Sequence, residues 1–353
     1  KKVEAWEFFD KELALNQAKK LDEDHQSGKV HGDLHGVPVG IKDTFYTNGI
    51  PTRFGSPIYA DHVPDYDATS VDKLKRAGAI IMGKTVTTQF AYGDPPVTRN
   101  PWNNERTPGG SSSGSAAGVA AGYFPIALGS QTAGSVLRPA SYNGVVGLKP
   151  TFGRMSRHGV IPDAWSVDTI GTFTQDVEDA ALLLKLLSGF DSNDPTSSSL
   201  PVPDYTKSMS KQTSPPRIGL MRQFFLENAV SETRDHIEDV AKRFEKAGAS
   251  IRELRVSMDL DTLQWAHRIV MAVEGAAVHE EDFRKRPNDY ASDVRRWIEM
   301  GQLVPAVTYA NAQRIRGQFR RFLGEAMRDV DIILTSTSSS TSPHVRTHSP
   351  QVE

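Results

Sequence analysis

Residues 108–122 read PGGSSSGSAAGVAAG, and apart from Pro108 and Val119 every side chain in the run is Gly, Ala or Ser. Such a stretch has two physical outcomes. Left in solvent it is a flexible tether. Built into a fold, its glycines serve backbone geometry and its alanines close packing. The flanking sequence favours the second outcome. FPIALGSQ, residues 124–131, follows as a strand and turn, so the run is read as a small-residue helix over 110–121 that feeds a strand.

The same helix-then-strand order recurs along the chain. TSVDKLKRAGA (69–79) carries a helix start signal at Thr69 or Ser70 and a stop at Gly78, and AIIMGK (79–84) follows as a buried strand. GVPVGIKDTF (36–45) reads as a short strand running into a loop, and VEDAALLLKLLSGF (177–190) as a helix. Residues 3–26 are read as a helix from the spacing of Ala5, Phe8, Phe9, Leu13, Leu15 and Ala18. After a polar, Pro-rich connection at 192–216, RIGLM, SETRDHIEDVAKRFEKAGA and SIRELRV make a further strand, helix and strand. Two long helices near 261–281 and 306–328 and a late strand, VDIILTS (330–336), complete the series. This order predicts an α/β fold. There is no internal repeat.

Composition narrows the function. Of 353 residues, 41 are Lys or Arg and 43 are Asp or Glu, a balance with no general pull on polyanions or anionic membranes. The absence of Cys removes disulfides, thiolate metal sites and a thiol nucleophile, and fits a reducing compartment. No stretch reaches the roughly 18 to 20 apolar residues of a membrane span. The chain opens on Lys1 rather than Met, which leaves room for a preceding or cleaved segment.

Four local patterns invite a functional reading and lose to a structural one. GAIIMGKT (78–85) satisfies the phosphate-loop spacing, but its middle residues, Ala79, Ile80, Ile81 and Met82, belong in a buried strand where the loop would have to be. GSSSG (110–114) matches a nucleophile elbow centred on Ser112, yet the residues before it are polar and turn-rich and no His base is marked. His31, Asp33 and His35 in HGDLH lack a further metal ligand. Arg314, Arg316, Arg320 and Arg321 lie on one helix beside Ile315, Phe319, Phe322 and Leu323, which reads as a solvated basic face.

Three boxes taken together point elsewhere: GVPVGIKD with Lys42, PGGSSSGSAAG with Ser111, and ALGSQTAGSVLRPASYNGVVGLKPT with Ser135. They closely resemble the amidase signature family. Its members carry a G-[IV]-P-[IVL]-x-[IV]-K-D box, then P-G-G-S-S-G-G-S, then G-T-D-x-G-G-S-[IV]-R-x-P-A followed by C-G-x-x-G-[LF]-K-P-[TS]. Ser111 and Ser135 are 24 residues apart, the family's own interval between the first Ser of the second box and the last Ser of the third. The resemblance runs from about residue 3 to about 190 and takes in GKTVTTQFAYG and TRNPWNNERTPGGSSSG.

The resemblance implies an α/β/α fold, a mixed central sheet covered by helices on both faces, as one domain over 1–353 with its signature core at about 30–190. Members continue with more sheet after a strand like VDIILTS, so the C-terminal part is expected to be incomplete or divergent. The implied triad is Ser135 as nucleophile, Ser111 as a bridging serine after a cis peptide bond from Gly110, and Lys42 as base. The chemistry agrees with the residue types available. An amide is a poor electrophile and its attacking hydroxyl needs a base. Without Cys or a marked His, lysine is the remaining base type for a Ser nucleophile. The backbone N–H groups of Thr132, Ala133 and Gly134, with that of Ser135, are expected to form the oxyanion hole. Phe90, Tyr92 and Trp165, with Gly110, are expected to border the acyl group.

Gln131 stands where many members have Asp, Ala133 where many have Gly, and Asn143 where Cys is frequent; Arg138 falls one residue late. In this respect the GSQTAGSV form resembles generic bacterial amidases more than the A-type chain of the tRNA-dependent amidotransferase. The expectation is therefore an amide hydrolase working through an acyl-enzyme, with no cofactor or metal. Its partner is expected to be a small-molecule amide, with no nucleic acid and no membrane. A cytoplasmic chain, with a homodimer as an open alternative to the monomer, completes the reading. The alternatives are the glutaminase A-type subunit of such an amidotransferase and a fold relative acting as a binding module.

Overall fold

The computed structural model describes residues 3–93, 95–209 and 214–345. They fall into two compact units. The first holds the chain up to residue 209 together with 278–296 and 344–345, and the second holds 214–277 and 297–343.

The first unit is built on a six-stranded sheet. In chain order its elements are β1 (Trp6–Phe9), α1 (Lys11–Gln26), β2 (Pro38–Lys42), α2 (Thr69–Arg76), β3 (Ile80–Thr85), α3 (Ser113–Ala120), β4 (Ile126–Gln131), α4 (Leu137–Asn143), β5 (Val146–Leu148), β6 (Thr169–Thr174), α5 (Val177–Leu187) and α6 (Tyr205–Met209). The strand order is β1-β3-β2-β4-β6-β5. The central β3, β2 and β4 run parallel, while β1, β6 and β5 pair antiparallel. The sheet is therefore mixed, as the sequence resemblance implies.

Side-chain alternation explains the two covered faces. Val39 and Ile41 of β2 join Ile81, Leu128 and Ile126 in a core with Val71 and Leu74 of α2 and Leu183 and Leu187 of α5. Gly40, between them, points to the opposite face, where a Cβ would lie 2.6 Å from the Phe124 ring. That face is closed by Ala116 and Val119 of α3 and Val136 and Ala140 of α4, packed on Phe124, Ala127 and Phe173.

The small-residue run does form a helix, and its glycines explain how close it lies. A Cβ on Gly114 would stand 2.2 Å from the Ala5 carbonyl oxygen, and one on Gly118 would stand 2.3 Å from the Phe124 ring. The Gly114 N–H donates to the Val86 carbonyl at 2.9 Å. Ser115 lies 2.7 Å from Thr85 Oγ1 and donates to the Leu128 carbonyl at 2.8 Å.

The start of the chain departs from its sequence reading. Residues 3–26 are not one helix: Trp6–Phe9 pair as a strand with β3, and the helix begins only at Lys11. Asp10 makes the break, its carboxylate accepting from the N–H groups of Glu12 and Leu13. The three aromatics before it suit a strand surface better than a helix turn.

The second unit has a parallel three-stranded sheet, β8-β7-β9, from β7 (Arg217–Leu220), β8 (Ser250–Glu253) and β9 (Ile332–Leu334). Its helices are α7 (Ser231–Lys246), α11 (Ala306–Ala326) and the larger parts of α8 (Leu260–Val278) and α10 (Ser292–Leu303); α9 (Glu280–Lys285) belongs to the first unit. On α11, Phe319 and Leu323 pack into an apolar cluster with Met221 and Leu254.

Candidate active site

Lys42 closes β2, and its parity with Gly40 turns its side chain to the α3 face. It is fully buried, at 0% exposure. Its Nζ lies 2.8 Å from Ser111 Oγ and 2.9 Å from Ser130 Oγ, and it also donates to the Ser130 carbonyl at 3.4 Å. Burial brings the ammonium down to about 7, against the opposing pull of Asp163 and Asp168. The amine is thus available near neutral pH in the uncharged form a base requires.

Ser111 sits before the first turn of α3, and the Gly110–Ser111 peptide bond is cis. Its carbonyl accepts from the N–H groups of Thr88 and Ser113. The loop is tied from behind: Ser113 Oγ donates to the Gly109 carbonyl, and Asn143 Nδ2 to the Pro108 carbonyl, at 2.8 and 2.7 Å. Asn143, at the position where Cys is frequent in the family, thus joins the third box to the second.

Ser135 lies in the turn between β4 and α4 and is 7% exposed. Its carbonyl accepts from the Ser112 N–H at 3.3 Å, which stitches the two serine loops together. Gln131 shapes this turn. Its Oε1 accepts from the N–H groups of Val136 and Leu137 at 2.9 and 3.0 Å, satisfying donors that the first turn of α4 leaves without helical partners. Thr132 Oγ1 donates to Asp168 Oδ1 at 2.6 Å, and Asp168 Oδ2 accepts from the N–H groups of Asp163 and Ala164. The turn is therefore held at both ends.

A cavity of about 220 Å³ opens beside it, lined by residues that include Ser130, Thr132, Asp163, Trp165 and Asp168. Trp165 is 44% exposed at this wall, and its carbonyl accepts from the Arg157 guanidinium. Phe90 and Tyr92 are buried behind it, packed on His279. Phe90 and Ala91 adopt left-handed backbone, uncommon without glycine. Of the aromatics expected to border the acyl group, Trp165 faces the cavity, while Phe90 and Tyr92 support it.

Asp163, Asp168, Ser130 and Arg157 were not selected by sequence reasoning. The available signal was IPDAWSVD, two acids bracketing a tryptophan, but spacing alone does not tell a buried pair from a solvated one. Among the patterns set aside, GAIIMGKT is largely β3. Its Lys84 is buried, donates to the Phe45 carbonyl and Thr52 Oγ1, and pairs with Asp43 at 3.5 Å. His31 pairs with Asp24 at 2.7 Å. Ser112, centre of the elbow-like pattern, donates to the Ser130 carbonyl at 3.3 Å.

A family model described as Amidase matches residues 1–353. The chain belongs to the amidase family. The resemblance drawn from the three boxes and the α/β fold with a mixed sheet both hold, and the chain is an amidase-family hydrolase. A curated relative from Clostridium novyi, named as the A-type subunit of glutamyl-tRNA(Gln) amidotransferase, is 37% identical over 370 residues, covering 96% of this chain and 76% of that protein. Among solved structures, one described as a vestigial protein complex bearing on the origin of an s-triazine catabolic enzyme superposes with a TM-score of 0.91 at 33% identity, covering 98% of this chain and 76% of that one. Another, described as an amidase, gives 0.87 at 31% identity with the same coverage.

These findings correct the partner expectation. A small-molecule hydrolase, alone or as a homodimer and with no nucleic acid among its partners, is not what the curated relatives are named for: they are subunits, of an amidotransferase named for a tRNA. The physical reason is that the boxes encode C–N bond chemistry, which a stand-alone enzyme and a subunit share, while assembly is written in surface residues. The relatives also weigh toward the A-type reading despite Gln131 and Ala133. Among the described residues, no helix is long and apolar enough to cross a membrane.

Proposed function

We propose that this chain hydrolyses a carboxamide through an acyl-enzyme on Ser135, and that it does so as the glutamine-hydrolysing, A-type subunit of an amidotransferase. The observation that carries the chemistry is the 2.8 Å contact between the buried Lys42 amine and Ser111 Oγ. Neutral Lys42 accepts the Ser111 proton while Ser111 accepts that of Ser135, whose oxygen attacks the carbonyl carbon. The oxyanion is met by the N–H groups of the turn at Thr132, Ala133, Gly134 and Ser135. The proton returns through Ser111 to the leaving amine as the C–N bond breaks. Water then takes the same path to release the acid. Membership of an amidotransferase rests on the names of the relatives at 37% identity.

A fluorophosphonate probe tests the nucleophile: it is expected to label Ser135 in the wild type and not in Ser135→Ala. That variant is expected to lose on the order of a thousandfold or more in turnover. A Ser135→Ala protein with full turnover would overturn the assignment. Release of ammonia from glutamine, compared with a panel of aryl and aliphatic amides, tests the substrate. A second reading, hydrolysis of another small carboxamide, draws support from the solved relatives described as an amidase and as tied to s-triazine catabolism, and preference for such an amide over glutamine would favour it.

A further inference from the structure

Asp163 is 4% exposed, lines the cavity beside the nucleophile turn, and leaves its Oδ1 without a hydrogen-bond partner. Its other attachments are filled. The Thr132 and Tyr92 side chains are hydrogen-bonding neighbours of its carboxyl, and its own N–H is bound to Asp168 Oδ2. Asp168 is fully engaged as an acceptor, by Thr132 Oγ1 and by two backbone N–H groups. A buried polar oxygen without a partner is costly in a folded protein, and because Asp163 lines the cavity a ligand can supply that partner.

We propose that Asp163 is a specificity-determining residue that accepts from the ammonium group of an amine-bearing amide substrate. This rests on the reading of Ser135 as nucleophile and narrows its substrate class. An ammonium supplies both the donor that Oδ1 lacks and a positive charge beside two carboxylates. A hydroxyl would supply only the donor, and an alkyl group neither.

The carboxyl's own proton supports the assignment. Burial, with the neighbouring Asp168, pushes Asp163 up to about 8, so the carboxyl favours its protonated form at neutral pH. Binding an ammonium exchanges that proton for another positive charge and releases it to solvent. The titratable groups around Asp163 are Asp168, Tyr92 and Lys42, with Arg157, His158 and Asp194 elsewhere on the cavity wall. With Lys42 as the proposed base, its titration at about 7 acts on kcat and that of Asp163 on KM, so the two effects separate.

The test compares matched pairs: glutamine with its analogue lacking the α-amine, and 5-aminopentanamide with hexanamide. At pH 8 the amine-bearing member of at least one pair is expected to have a kcat/KM about tenfold or more above its partner. Its KM is expected to fall by up to tenfold per unit between pH 6 and 8, a trend absent from the partner. In Asp163→Asn the ratio is expected to drop toward one, and in Asp163→Glu to recover in part. An unchanged ratio in Asp163→Asn would overturn the proposal. A second measurement needs neither a variant nor turnover: calorimetry of pentylammonium binding to the wild type, in two buffers of different ionisation enthalpy. Binding at least tenfold tighter than pentanol, with proton release at pH 7, supports the proposal, and equal affinities overturn it. If Ser135 fails to react with the fluorophosphonate while pentylammonium binds with proton release, the nucleophile reading falls and Asp163 stands.

Discussion

At the scale of the residue, Lys42 carries the clearest consequence. Its folded value of about 7 lies below the ordinary lysine value, so the amine is neutral only above that pH. Turnover is expected to rise as pH passes through about 7 and then level. A profile flat from pH 5 to 10, with chemistry limiting the rate, would rule Lys42 out as the base. The same shift has a stability cost. Between about 7 and 10.5 the unfolded chain binds a proton at this position that the folded chain does not, so stability rises with pH across that window. Lys42→Met removes both effects. It is expected to lose turnover on the order of a thousandfold, and to gain stability over the wild type at pH 7 by up to about 4 kcal/mol. Urea unfolding at pH 7 and 9.5 checks this: the gap should shrink at the higher pH, and a constant gap would refute the shift. The box containing Lys42 was legible in the sequence. That its partners are both Ser111 and Ser130 was not, because Ser130 lies 88 residues away and reaches it across β2 and β4.

At the scale of the element, the small-residue helix α3 shows how packing chooses between two readings of one composition. Residues 110–122 carry the glycines of a linker, but Gly114 and Gly118 stand where any Cβ would strike the Ala5 carbonyl or the Phe124 ring. Gly114→Ala is expected to destabilise the protein by about 2 to 3 kcal/mol through overpacking. Gly317→Ala on α11, where a Cβ would meet nothing within 4 Å, is expected to stabilise by up to about 1 kcal/mol. Chemical denaturation of the two variants checks the contrast, and a Gly114→Ala protein within about 0.5 kcal/mol of the wild type would show that α3 does not lie this closely against the backbone of Ala5 and Val86. Element boundaries were the less legible part. β1 was hidden because its aromatics also satisfy a helical period, and only pairing with β3 decides between the two. β5 and β6 were missed because Gly and Thr interrupt their apolar pattern.

At the scale of the whole molecule, the curated relatives are named as subunits rather than lone enzymes, and the proposed assembly can be tested directly. Co-expression with the candidate amidotransferase partners from the same genome is expected to yield a complex in which glutamine turnover rises above that of the isolated chain. Recovery of this chain alone, with no change in turnover, would refute the amidotransferase reading and leave the hydrolase chemistry in place. By itself the sequence determined the family, the α/β order of the elements and the three boxes, because these depend on residue types at fixed local spacings. It also excluded thiol chemistry outright. The tertiary structure alone decided what the boxes meet. It set the buried amine against Ser111 and Ser130, made Gln131 the cap of the turn that carries Ser135, and left Asp163, a residue of the cavity wall, with an unpaired oxygen. Those outcomes depend on desolvation and on contacts between strands distant in sequence, and no local pattern of residues encodes either.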